Sequence, residues 1–142
     1  MRALIAAAAL PVALLGVPAA TADPGADGPG AAPYAAPFVD HTQWVQWGRL
    51  SSLRVYPTPS ARLAARDLGT DADAAEAWAE VLATAPDAAN PGMREQFWCH
   101  WQMAEFVQPG KVSWNLEPWR PVVDAGEMIA SGCNPGGRQE PL

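Results

Sequence analysis

The chain has 142 residues, with 15 acids against nine lysines and arginines and a formal net charge of −6. That balance, with no basic run anywhere, disfavours nucleic acid and anionic lipid as partners, because both reward clustered Lys and Arg. At this length one domain is expected, burying roughly two-thirds of the surface its unfolded chain exposes.

The first segment is "MRALIAAAALPVALLGVPAATADPG". Arg2 gives a short positive start, Ala3 to Val17 form an apolar run broken by Pro11 and Gly16, and small residues Ala20-Thr21-Ala22 precede Asp23. This pattern predicts a secretory signal peptide over residues 1–22. The run is too short and too interrupted for a span of ~20 residues, so no membrane span is expected after cleavage. Cleavage removes Arg2 and no acid, which leaves the exported chain one unit more negative. Residues 23–37, "DPGADGPGAAPYAAP", hold too little apolar bulk to offset their ordering entropy and read as a flexible linker.

A single secreted domain is expected over 38–137. "FVDHTQWVQW" and "LSSLRVYPT" are rich in aromatic and β-branched residues, which predicts antiparallel strands over 39–47 and 51–56. Trp44 and Trp47 have opposite parity, so they face opposite sides or a bulge intervenes. Thr58-Pro59 starts a short helix near 59–67, with Gly69 as its stop. A second helix follows over 71–84, with acids in its first turn to complement the helix dipole. Ala74, Trp78, Val81 and Leu82 share one side of it, and Asp73, Glu76 and Glu80 share a solvated opposite face.

Asn90-Pro91 opens a third helix over 91–107. Met93, Phe97, Trp101, Met103, Ala104 and Val107 form its apolar stripe, and Arg94, Glu95, Trp98, Gln102 and Glu105 lie opposite. His100 falls inside the stripe, the least expected polar placement in the chain. Beyond it Val112, Trp114 and Leu116 alternate with polar residues, which predicts a half-buried strand over 111–117. Asp124 caps a short helix, "AGEMIAS", ending at Gly132, and residues 138–142 form a tail. The fold class expected is α+β: a small antiparallel sheet of about three strands packed against three or four helices.

The chemistry on offer is sparse. Cys99 and Cys133 are the two cysteines, and in an oxidising compartment they are expected to bridge. Closing a loop of that size stabilises by roughly 4 kcal/mol in the chain-entropy account. No nucleophile elbow, zinc-binding, phosphate-binding or calcium-binding motif occurs, so no cofactor and no metal is expected. His100 is the candidate catalytic residue, a general base if a carboxylate such as Glu117 or Glu127 pairs with it. Its alternative is a core histidine satisfied by hydrogen bonds. Trp98 on the polar side of its helix, Trp119 beside Pro118, and the charged pair Glu117 and Arg120 are the candidate binding residues. Glu117 and Arg120 read equally as a structural salt bridge that orients a turn.

The joint pattern "PGMREQFWCHWQMAEF", "PGKVSWNLEPWRPVV" and "GCNPGG" resembles the actinobacterial secreted proteins called domain of unknown function 2599. The likeness runs from Phe38 to Gly137, and "CHW" followed by "SWNLEPWRP" carries it. The resemblance implies export and a shared small fold with paired cysteines, and it implies no activity. Two readings of function therefore stand. The first is a non-catalytic binding or structural module with an unknown extracellular or cell-wall partner. The second is a small secreted hydrolase using His100 as general base.

Overall fold

A computed structural model describes residues 33–137. The expected signal peptide, most of the expected linker and the expected tail lie outside the described residues. Strand β1 (Val39–Trp47) and strand β2 (Leu50–Pro57) pair antiparallel, with Trp47 opposite Leu50 and Trp44 opposite Leu53. The turn between them is Gly48-Arg49, and Gly48 adopts a φ of 56°, a conformation that suits glycine because it has no Cβ. Strand β3 (Trp114–Leu116) joins the other edge of β2, with Leu53 opposite Leu116 and Val55 opposite Trp114. The sheet order is β1-β2-β3.

Helices α1 (Pro59–Ala64), α2 (Asp71–Thr84) and α3 (Pro91–Val107) cover one face of this sheet, and α4 (Ala125–Ala130) follows β3. Three of them start as local chemistry dictates. The side chains of Thr58, Asn90 and Asp124 accept the N–H of Ala61, Met93 and Glu127 in turn. Asn90→Ala is therefore expected to lower the unfolding free energy by about 1 kcal/mol, measured by urea denaturation.

The core forms where the sheet meets α2 and α3. Leu53, Val55, Trp114 and Leu116 point into it from the strands, Val81 and Trp78 from α2, and Met93, Phe97 and Trp101 from α3. Phe97 is the hub, with ring centroids 5.4 Å from Trp78, 6.0 Å from Trp114 and 6.2 Å from Trp101. Aromatic pairs at such spacings add about 0.5–1.5 kcal/mol each beyond area burial. A smaller cluster of Cys99, Met128 and Cys133 lies apart from this core. There the Cys99–Cys133 disulfide, with Cα atoms 5.6 Å apart, ties α3 to the segment after α4. Among the described residues the architecture is the α+β arrangement expected, with three strands, four α-helices and one disulfide. Among the described residues no helix is long and apolar enough to cross a membrane.

Several local expectations need correction. The strand expected over 111–117 is only three residues long and is buried on both faces, not one. Val112, expected inside, is 73% exposed, while Ser113, Asn115 and Glu117 are buried. The polar side of the strand is closed by its own hydrogen bonds, including Ser113 Oγ to Asn115 Oδ1 at 2.7 Å. Helix α1 stops at Ala64, three residues short of the expected end. Glu105, assigned to the polar face of α3, is buried, and Val107, assigned to the stripe, is exposed. Arg62 and Arg66 draw Glu105 inward, at 2.6 Å and 3.0 Å from its two carboxylate oxygens. Burial alone would raise the Glu105 carboxyl. The hydrogen bonds from Arg62, Arg66 and the Gly110 N–H outweigh that and hold it below the usual carboxylate range. The end of the expected linker also touches the domain: Tyr34 packs against the core and donates its hydroxyl to Asp67, and Ala35 N–H donates to Ser60 Oγ.

Candidate functional site

Gln96 and His100 lie four residues apart on α3 and so share a face of the helix. That face meets the outer edge of β3. Gln96 donates Nε2–H to the Glu117 carbonyl at 2.9 Å and accepts the Glu117 N–H at 2.8 Å. His100 Nε2 lies 3.1 Å from the Asn115 carbonyl. A carbonyl only accepts, so His100 carries its proton on Nε2 and donates it. Two side chains of α3 thus satisfy backbone groups that a further strand would otherwise take. Burial lowers the His100 pKa to about 3, aided by the positive charge of Lys111 and Arg120. The ring is neutral at physiological pH and is a weak base.

Glu117 follows directly. Its Oε1 accepts the Ser52 hydroxyl at 2.9 Å, and its Oε2 accepts Arg120 Nε at 2.7 Å. Arg120 is 3% exposed and spends a second nitrogen on the carbonyls of Pro135 and Gly137, at 3.1 Å and 3.0 Å. This clasp holds the C-terminal segment close: a Cβ on Gly136 would stand 2.6 Å from Pro121 Cδ, and its φ of 85° suits glycine as well.

Trp119 completes the group. The β2–β3 register, continued past Leu116, sets Ser51 opposite Pro118, which has no N–H to give. The indole of the next residue supplies the donor instead, with Trp119 Nε1 3.1 Å from the Ser51 carbonyl. The Arg120 guanidinium lies 4.5 Å over the Trp119 ring. Glu117, Trp119 and Arg120 therefore stand together, two of them buried and Trp119 half-buried. No hydrogen bond or ring contact joins Trp98 to them among the described residues. It is half-buried, packs on the main core, carries the Arg94 guanidinium 5.0 Å over its ring, and borders a shallow depression beside Val123 and Met128.

His100 also lines a cavity of about 190 Å³, walled by Met103, Val107 and Ile129 and by the disulfide at Cys133. The charges that act on it are the cations Lys111 and Arg120, and no carboxylate is among the groups that shift it. Among the described residues no three metal-ligating side chains gather in one place.

Two exposed tryptophans and a leucine lie elsewhere, on the β1–β2 hairpin. Trp44 and Trp47 are each 40% exposed and Leu50 38%. Trp44 shares the core face with its partner Leu53, yet the hairpin reaches past the core and leaves the indole half in water. The one register shift lies between Val39 and His41, so the opposite parity of the two tryptophans puts them on opposite faces. Sequence reading noted both residues without assigning them to a site. Their position on an edge strand after a bulge was the signal available. Gln96 had a signal too, its spacing of four from His100.

Comparisons with known proteins give a family and no activity. Uncharacterized protein Rv0477 of Mycobacterium tuberculosis is 61% identical over 147 residues, covering 99% of each chain. Uncharacterized protein Mb0487 of Mycobacterium bovis matches to the same extent. Uncharacterized protein ML2452 of Mycobacterium leprae is 52% identical over 103 residues, covering 72% of this chain and 83% of the relative. No solved structure matches the chain. The family described as "Protein of unknown function (DUF2599)" matches residues 39–136, and the chain belongs to that family.

Proposed function

We propose that the protein is an exported, non-catalytic module that binds a partner of the cell envelope or extracellular space through its β1–β2 hairpin. The observation that carries this reading is the contrast between its two aromatic and polar regions. His100, Glu117 and Arg120 are buried and hydrogen-bonded to internal partners, while Trp44, Trp47 and Leu50 stand open on a strand pair. Half-exposed tryptophans supply large contact area at low entropy cost, and Trp47 stands beside its cross-strand partner Leu50 on one face of the hairpin. Trp119, half-buried and fixed to the Ser51 carbonyl, stands near the turn of the hairpin. Export is supported by the Arg2 start, the apolar run and the Ala20-Thr21-Ala22 site, and the disulfide suits an oxidising compartment.

The test is binding of the processed protein to isolated envelope of the host. The double variant Trp47→Ala, Leu50→Ala is expected to bind about tenfold or more weakly. Its unfolding free energy should fall by less than the cost of a core truncation, since both residues are more than a third exposed. Undiminished binding by a folded variant would overturn the reading.

A further inference from the structure

The sheet has two edges, and they are treated differently. The β3 edge is closed by Gln96 and His100. At the start of β1, the Glu80 carboxylate accepts the N–H groups of Phe38 and Val39, at 2.8 Å and 2.6 Å. From Asp40 to Trp47, the backbone groups directed away from β2 meet no backbone partner among the described residues. The devices that normally protect such an edge are charges, prolines, bulges or short length. Residues 42–47, "TQWVQW", carry no charge and no proline, and the bulge lies before them.

We propose that this edge pairs antiparallel with the same edge of a second copy of the chain. The inference rests on reading the hairpin as an interaction surface, and it adds a second copy of the chain to what that surface meets. Charge supports it. The open stretch is flanked by Asp40 in the bulge at one end and Arg49 in the turn at the other, and antiparallel pairing centred on Trp44 sets Asp40 opposite Gly48, next to Arg49 of the second copy, twice. Parallel pairing would set Asp40 against Asp40. From His41 to Pro57 the hairpin has no acid, so the negative charge of the rest of the chain does not gather at the contact.

Symmetry then selects the register. A two-fold axis perpendicular to a continuous sheet keeps each residue on its own face, so only residues of equal parity can face one another. Centred on Trp44, the pairing stacks the two copies of Trp44 on one face. Beside them on that face Thr42 faces Gln46, and on the other face His41 is set against Trp47 of the second copy. Aromatic cross-strand pairs of this kind are favourable. A contact of one strand is small for a permanent dimer, so the association is concentration-dependent.

Sedimentation equilibrium of the processed, disulfide-bonded protein tests this. The expected result is a monomer–dimer equilibrium that shifts with concentration. Asp40→Arg alone and Arg49→Asp alone are each expected to weaken it by about tenfold, because like charges then lie one position apart across the pairing in two symmetric contacts. The double reversal should restore it, an outcome that misfolding cannot mimic. A monomer at millimolar concentration, or a dimer indifferent to both single reversals, would overturn the proposal. If the wild type is monomeric while the Trp47, Leu50 variant still loses envelope binding, self-pairing falls and the hairpin reading stands. If the reversals behave as expected while that variant binds envelope undiminished, self-pairing stands and envelope recognition lies elsewhere.

Discussion

Arg120→Ala is expected to lower the unfolding free energy by about 3–5 kcal/mol, the cost of stripping a buried carboxylate of its partner. The guanidinium is fully enclosed, and its loss is felt at four places. Glu117 Oε2 loses its 2.7 Å donor, the carbonyls of Pro135 and Gly137 lose theirs, and the Trp119 ring loses the cation above it. Ser52 still serves Glu117 Oε1, but one hydrogen bond does not neutralise a buried charge. Urea denaturation of the variant measures the loss. A value below ~1 kcal/mol, typical of an exposed pair, would contradict the clasp and return Arg120 to the surface.

Acid is expected to unfold the domain with His100 as a principal cause. In the folded chain the ring stays neutral down to about pH 3, whereas in the unfolded chain it takes a proton near its ordinary value of 6.5. Between those values the unfolded state binds more protons, so stability falls as pH falls. The contribution is fully present above pH 6.5 and is lost progressively down to about pH 3. Integrated over that window, the loss is on the order of 4–5 kcal/mol. Glu105, held below the usual carboxylate range, adds to it with the same sign at the acid end. His100→Gln keeps an Nε2–H donor for the Asn115 carbonyl and does not titrate, so its stability should depend less steeply on pH from 6.5 to 3. Parallel pH profiles for the wild type and this variant would contradict the assignment, as would an imidazole resonance of His100 that titrates near neutrality.

These expectations show how unevenly sequence marks structure. Helices α2 and α3 run between the residues expected because their signals are local: a first turn of acids in one, an Asn-Pro start in the other, and an apolar stripe in both. The burial of His100 was equally legible from its place on the wheel. Its partner was not, because a backbone carbonyl leaves no mark in sequence. Glu105 was misplaced for a related reason: what draws it inward is Arg62, 43 positions away. The strand around Trp114 was read too long because alternation describes which residues differ, not what covers each face.

The candidate residues divide along the same line. Glu117, Trp119 and Arg120 are neighbours in sequence, so their convergence was plain, but their partners Ser52, Ser51 and Pro135 come from distant segments. Those partners make the cluster a clasp between β2, the end of β3 and the C-terminal segment. The hairpin tryptophans follow the opposite logic. Their parity could be read from sequence, but their exposure depends on how far the hairpin extends beyond the helices.

Under the proposed function, recognition happens on the hairpin while the buried polar residues hold the fold. Nuclear magnetic resonance of the processed protein, titrated with solubilised host envelope, tests it most directly, because every indole N–H reports separately. The expected result is movement of the Trp44 and Trp47 signals, with Trp119 following and with Trp101, Trp114 and His100 unmoved. Movement centred on His100 and its cavity, with Trp44 and Trp47 stationary, would instead place recognition at that cavity and overturn the hairpin's role.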